Sequence, residues 1–183
     1  ENEKIKKYGH HIKYDLEILS KYNVNLKGVT FDTMIAAYLL NPGSRSYKLS
    51  NLAFNYFGYQ MQSIEELIGP KGKKQISMDR VPVEKVSWYS CEDADYTFRL
   101  KYKLEPLLLK NNLTKLFDEV EIPLIPVLQE METNGVKIDQ KFLNKINEKV
   151  TQDLKKLKTK IHKLAGTEFN ISSPIQLKEV LFN

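Results

Sequence analysis

A single cysteine, Cys91, stands in the 183 residues, so no internal disulfide is available, and no Cys/His cluster has zinc-ligand spacing. No run of 18 or more apolar residues occurs, and the opening Glu1-Asn2-Glu3-Lys4 has no apolar signal core behind its charges. Neither membrane insertion nor secretion is therefore expected, and the expected compartment is the cytoplasm. No serine or cysteine is flanked by a base that would make it a nucleophile. A Gly-rich phosphate loop is missing too, because "GPKGKK" (69–74) lacks the terminal Ser/Thr and a preceding strand. Repeats and low-complexity tracts are absent. What remains is an ordinary soluble composition, 42% apolar and 28% charged, whose fold rests on its core.

The net charge of +5 is unevenly spread. Residues 1–139 hold 19 Lys+Arg against 19 Asp+Glu, whereas residues 140–183 hold 9 against 4. A basic segment attached to a neutral one suits contact with an anionic polymer, and it equally describes a solvated lysine-rich helix face.

The first half alternates helix and strand patterns. "HHIKYDLEILSKYNV" (10–24) is helical, "KGVTF" (27–31) is a short β-branched run, and Asp32 stands where a cap for the helix "TMIAAYLLN" (33–41) belongs. After the turn signal Asn41-Pro42-Gly43-Ser44 comes a helix over "KLSNLAFNYFG" (48–58), capped by Gly58, and then a lysine-bearing loop, "IGPKGKKQISMDRVP" (68–82). A helix starts near Val86 and runs towards Leu104, with Pro106 opening the next turn or helix. From Asn112 the pattern is helical, interrupted by Pro123 and Pro126 and ended by Gly135. "VKID" (136–139) is extended. Asp139 can cap a long helix from about Gln140 to Leu164, closed by Gly166, with an apolar stripe from Leu143 to Leu164 and eight lysines on its other positions. The division expected from this texture is 1–108 and 109–183.

Two acids share helical faces with apolar residues. In "VSWYSCEDADYTFRL" (86–100), Val86, Tyr89, Asp93, Tyr96 and Leu100 fall within roughly an 80° arc, which sets a carboxylate in an apolar stripe. Asp95, by contrast, lies on the other face one turn before Arg99, where an ion pair suits both. In "GHHIKYDLEIL" (9–19), His11, Asp15 and Leu19 recur at the same spacing. Glu17 and Glu92 read as polar-face residues. Burying a carboxylate is costly unless it is paired or bound to metal. Two such acids on different helices can converge on a hard cation, Mg²⁺ or Mn²⁺, which takes carboxylate oxygens and keeps several waters. The alternative is that each acid meets a backbone amide or a lysine. Metal-assisted phosphoryl chemistry often uses two ions about 3.5–4 Å apart, for which two carboxylates are too few. Tyr89, one turn before Asp93, could reach a metal-held water with its hydroxyl.

These segments in order resemble a known family. "GHHIKYDLEIL" followed by "FDTMIAAYLLN" and "WYSCEDADYT" resembles the second and third exonuclease motifs of the 3′–5′ proofreading domain in the bacterial DNA polymerase I family. "METNGVKID" and "FNISSPIQLKEVLF" resemble the start of that family's polymerase region and the base of its thumb. The resemblance implies an α/β, ribonuclease H-like (DnaQ-like) exonuclease domain, incomplete at its N-terminus, followed by an all-helical segment with a long thumb-type helix. It implies that Asp15 and Asp93 are metal ligands for Mg²⁺ or Mn²⁺, that Tyr89 positions the attacking water, and that His11 helps place the single-stranded 3′ end. Asn170 and Ser173 would lie near the primer–template duplex, with the basic helix beside DNA. The parent would be a monomeric DNA-directed DNA polymerase with proofreading.

At the His11 position the family usually has Asn. The family's first motif, an Asp-x-Glu on a strand, would precede residue 1, and the palm would follow residue 183, so little activity is expected of the isolated chain. Two other readings are a decayed exonuclease domain kept as a DNA-binding scaffold and a ribonuclease D-like RNA exonuclease.

Overall fold

The computed structural model describes residues 1–182 and forms two compact units, Glu1–Gly135 and Val136–Asn183. In the first, strand β1 (Lys7–Gly9) pairs in parallel with β2 (Val29–Asp32). Tyr8 lies opposite Phe31 and Gly9 opposite Asp32, and the register slips between Lys7 and Tyr8. The crossover between the strands carries helix α1 (Ile12–Lys21). Helices α2 (Thr33–Leu40), α3 (Leu49–Phe57) and α4 (Ile64–Ile68) follow. After α4 the chain runs through a lysine-bearing loop and a 3₁₀ turn, Met78–Arg80, into the 28-residue helix α5 (Val83–Lys110).

Helix α5 is the spine of this unit. Leu100, Leu104 and Leu108 recur every fourth residue and bury against Phe31, Ala36, Ala37, Leu52 and Phe117. The two alanines present no bulk, so α2 lies along α5. A smaller cluster of Ala53, Met61 and Tyr96 closes the other end. Pro106 lies inside α5 and does not open a new element as the sequence suggests. An interior proline costs about 3 kcal/mol. Leu104 and Leu108 flank it, both essentially inaccessible, and burial of two such side chains is worth about 1.5–3 kcal/mol each, enough to carry the helix through.

Beyond α5 come the single turn α6 (Thr114–Leu116), a π-helical turn at Phe117–Glu121, and α7 (Ile122–Asn134). The π turn ends two residues before Pro123, which occupies the first turn of α7 where its missing N–H costs nothing, and Pro126 lies within α7. Phe117 and Ile125 are buried, and Lys13 of α1 pairs with Glu132 of α7. The compact unit therefore runs to Gly135.

In the second unit Asp139 accepts a hydrogen bond from the Phe142 amide (2.9 Å) and starts α8 (Gln140–Ala165), which Gly166 closes in the left-handed conformation, φ 69°. Leu143, Ile146, Val150, Leu154, Leu157 and Leu164 of its stripe are exposed. His162 turns its Nε2 to the Phe169 carbonyl (2.9 Å), and α9 (Pro174–Phe182) follows. No helix among the described residues is long and apolar enough to cross a membrane.

Candidate active site

The carboxyl end of β1 organises the site. A Cβ added to Gly9 would lie 2.6 Å from the Ile12 Cβ, so only glycine lets α1 begin this close to the strand. Thr33 Oγ1 donates to the Gly9 carbonyl (3.2 Å), which leaves the Thr33 hydroxyl oxygen itself to accept from His10 Nδ1 (2.8 Å). Burial lowers the His10 pKa, with the nearby Asp32 charge opposing. His11 follows at φ 59°, ψ 44°, its ring stacked on Tyr14 at 6.3 Å. Asn and His enter this left-handed region more readily than most residues. The Asn that the resemblance would put here and the His present thus meet the same backbone demand.

Asp32 fixes where α1 points. It is buried, and its Oδ1 accepts from the Met34 and Ile35 amides (2.8 and 3.1 Å), the cap expected from sequence. Its Oδ2 accepts from the Ile12 amide (2.7 Å). One carboxylate thus starts both α1 and α2. One turn into α1, Asp15 enters a cleft of about 990 Å³ that is also lined by Tyr89 and Asp93 of α5.

Three of the residues singled out from sequence therefore share one cavity. Asp93 is half-buried, whereas Asp15, expected at the core edge, is exposed at the mouth. Dehydration by the surrounding protein is the main cause raising the pKa of each. For Asp15 the His11 ring opposes and Asp32 adds; for Asp93 the Glu92 charge adds and the Tyr89 hydroxyl opposes. The Tyr89 phenol is itself raised, chiefly by burial and next by Asp93. Among the described residues neither aspartate has a cation partner.

The other expected residues lie elsewhere. His10, not His11, lines the cleft. Asn170 and Ser173 belong to the second unit and shape the start of α9. Asn170 Oδ1 accepts from the Ser172 amide (3.1 Å), and Ser173 Oγ from the Gln176 amide (3.4 Å).

Glu92, read as a polar-face residue, is buried. Its Oε1 accepts from the Tyr59 hydroxyl and its Oε2 from the Gln62 amide, both at 2.8 Å. The segment after α3 covers this side of α5, with the Tyr59 ring stacked on Tyr96 at 4.5 Å. That second packing partner leaves no trace in the helix's own periodicity. Residues 60–65 line the cleft, so Glu92 ties one wall of the site to the helix that bears Tyr89 and Asp93.

No group of three or more His, Cys, Asp or Glu among the described residues is arranged to hold an ion. Asp15 and Asp93, unpaired and partly dehydrated, suit a hard cation that takes one or two carboxylates and completes its shell with water or phosphate oxygen.

A parallel strand–helix–strand unit, with an aspartate from α1 and a Tyr-x-x-x-Asp pair from α5 lining one cleft, fits a ribonuclease H-like exonuclease domain. Residues 1–109 match the family model described as 3′-5′ exonuclease, of the A-type DNA polymerases, and the chain belongs to that family. It is similar to DNA polymerase I of Chloroflexus aurantiacus (40% identity; 96% of this chain, 19% of that protein) and of Bacillus subtilis (38%; 100% and 20%). DNA polymerase I of Rhizobium leguminosarum is 33% identical (100% and 18%). Among solved structures it is similar to the POL domain of Pol1 from M. smegmatis in complex with DNA primer-template and dNTP. That likeness has a TM-score of 0.71 and 26% identity over 99% of this chain and 28% of the other. The chain spans about a fifth of the length of the curated relatives it matches.

Proposed function

We propose that the chain is a region of a DNA polymerase I-type enzyme, and that its first unit takes part in removing a mispaired nucleotide from the 3′ end of DNA. The observation that carries this reading is the meeting of Asp15, Tyr89 and Asp93 in one cleft. Asp15 and Asp93 would hold Mg²⁺ or Mn²⁺, which when bound supplies an acidified water and charge for the leaving oxygen. Tyr89, which lines the cleft one helical turn before Asp93, orients the attacking water, and its raised pKa keeps the phenol protonated and able to donate. A two-ion site needs more carboxylates than these two, and we propose that another segment of the parent supplies them. The lysines of α8 meet phosphates, each contact adding salt dependence without sequence preference, and Asn170 and Ser173 face the duplex at the base of the thumb.

The test is Mn²⁺ titration of the chain with dTMP present, followed by water-proton relaxation. Binding that Asp15→Asn and Asp93→Asn each weaken at least tenfold is expected. Binding indifferent to both substitutions refutes the site.

A further inference from the structure

The cleft holds two large side chains that neither the core nor the metal chemistry explains. Phe54 of α3 and Phe98 of α5 both line it, yet 60% and 53% of their surfaces are exposed. Exposed apolar side chains are common when scattered singly, but two rings in one concave site that also holds carboxylates form a patch with a ligand's chemistry. Phe98 is steadied edge-on by Tyr102 (centroids 4.8 Å, planes at 63°). Tyr8, a third ring lining the cleft, already faces the Lys101 ammonium at 4.9 Å, so it is not counted.

Lys48, at the start of α3, and Lys71, in the loop after α4, also line the cleft, and neither is ion-paired among the described residues. Free cations and exposed aromatic rings lining one cleft are what an unpaired nucleic-acid strand requires, because phosphates meet the ammonium groups while splayed bases stack on the rings. A duplex cannot use the rings, since its base faces are already stacked. The arrangement therefore selects unpaired ends as well as binding them.

We propose that Phe54 and Phe98 are stacking platforms for the terminal bases of single-stranded DNA whose phosphates meet Lys48 and Lys71. This rests on the exonuclease reading and assigns it residues that decide between frayed and paired ends.

The experiment uses the whole chain with Ca²⁺ and a fluorescein-labelled ten-nucleotide oligo-dT ending in 4-thiothymidine. Affinity is read by anisotropy, and the photo-cross-link is located by mass spectrometry. Cross-links on cleft peptides from the single strand, and none there from a blunt duplex carrying the same 4-thiothymidine end, are expected. Phe54→Ala and Phe98→Ala should each weaken binding about fivefold, the low end for loss of one stacked base. Phe54→Trp and Phe98→Trp should preserve it, which separates loss of stacking from loss of fold. Lys48→Gln with Lys71→Gln should flatten the salt dependence by about 1.4 in log–log slope, 0.7 per phosphate contact on a single strand. Cross-links that stay in the cleft while both alanine variants bind normally overturn this inference and leave the exonuclease reading intact. A blunt duplex bearing the same 4-thiothymidine end that cross-links to the cleft as readily as the single strand also overturns it. Cross-links confined to the lysines of α8 overturn both.

Discussion

Glu92 provides the sharpest test of how the cleft is held. Replacing it with alanine removes the acceptor for the Tyr59 hydroxyl and for the Gln62 amide, each 2.8 Å away. A hydrogen bond to a charged group contributes about 1.5–3 kcal/mol when its partner is then left buried and unsatisfied. Tyr59 is 37% exposed and its hydroxyl can turn to water, so its share falls to ~1 kcal/mol or less. The Gln62 amide bears most of the loss. Glu92→Ala should therefore cost about 2–4 kcal/mol. Glu92→Gln keeps the volume and one carbonyl oxygen for the amide and should cost about 1–2 kcal/mol. Tyr59→Phe keeps the stack on Tyr96 and should cost ~1 kcal/mol. Urea unfolding followed by fluorescence reads this unit directly, because Trp88 is the only tryptophan and lines a smaller cavity with Tyr59 and Glu92. In the double-mutant cycle Tyr59→Phe should add little to Glu92→Ala. If Glu92→Ala proves no costlier than Glu92→Gln, with both near zero, the carboxylate is solvated in solution and the tie between cleft wall and helix does not exist.

Asp93→Asn and Asp15→Asn should each stabilise the metal-free chain at neutral pH. Both carboxyls have native pKa values raised from 3.8, so the contribution to stability is full below the unfolded value and is lost as pH rises through the native one. Thermal melts across pH 3–7 should show the variants' advantage growing with pH and shrinking when Mn²⁺ is added, and a constant advantage would count against burial as the cause. Gly9→Ala should destabilise by ~1–3 kcal/mol, since the buried Ile12 side chain must give way. By moving the start of α1 it should also weaken Mn²⁺ binding, and a melt and a titration matching the unsubstituted chain would show that the close approach is relaxed in solution.

Much of the local architecture was legible because it depends on short-range chemistry. Asp32 and Asp139 accept from amides two or three residues on, and Gly58 and Gly166 close their helices at φ 67° and 69°. That Tyr89 and Asp93 share one face, and so one cleft, followed from helical spacing, and the Asp95–Arg99 ion pair is present at 2.8 Å. What pattern reading missed depends on contacts far along the chain. Glu92 looked solvated because nothing in α5 announces that residues 59–62 cover it. Pro106 looked like a boundary because propensity does not register the burial of Leu104 and Leu108. Asp32 was legible as a cap, but its second oxygen serves an amide twenty residues earlier, a bond visible only once the strands are paired.

That doubly committed carboxylate constrains how the cleft can open to admit a ligand. Swinging α1 away from α2 would strand the Ile12 amide or the Asp32 oxygen in a dry interior, so the edge bearing Asp15 behaves as a fixed jamb. The facing material between Gly58 and Ser77, with one short helix and a lysine-bearing loop, is hydrogen-bonded to α5 through the single side chain of Glu92. On the reading proposed above, a change in the width of the cleft falls to that side, and the carboxylate on α1 keeps its station.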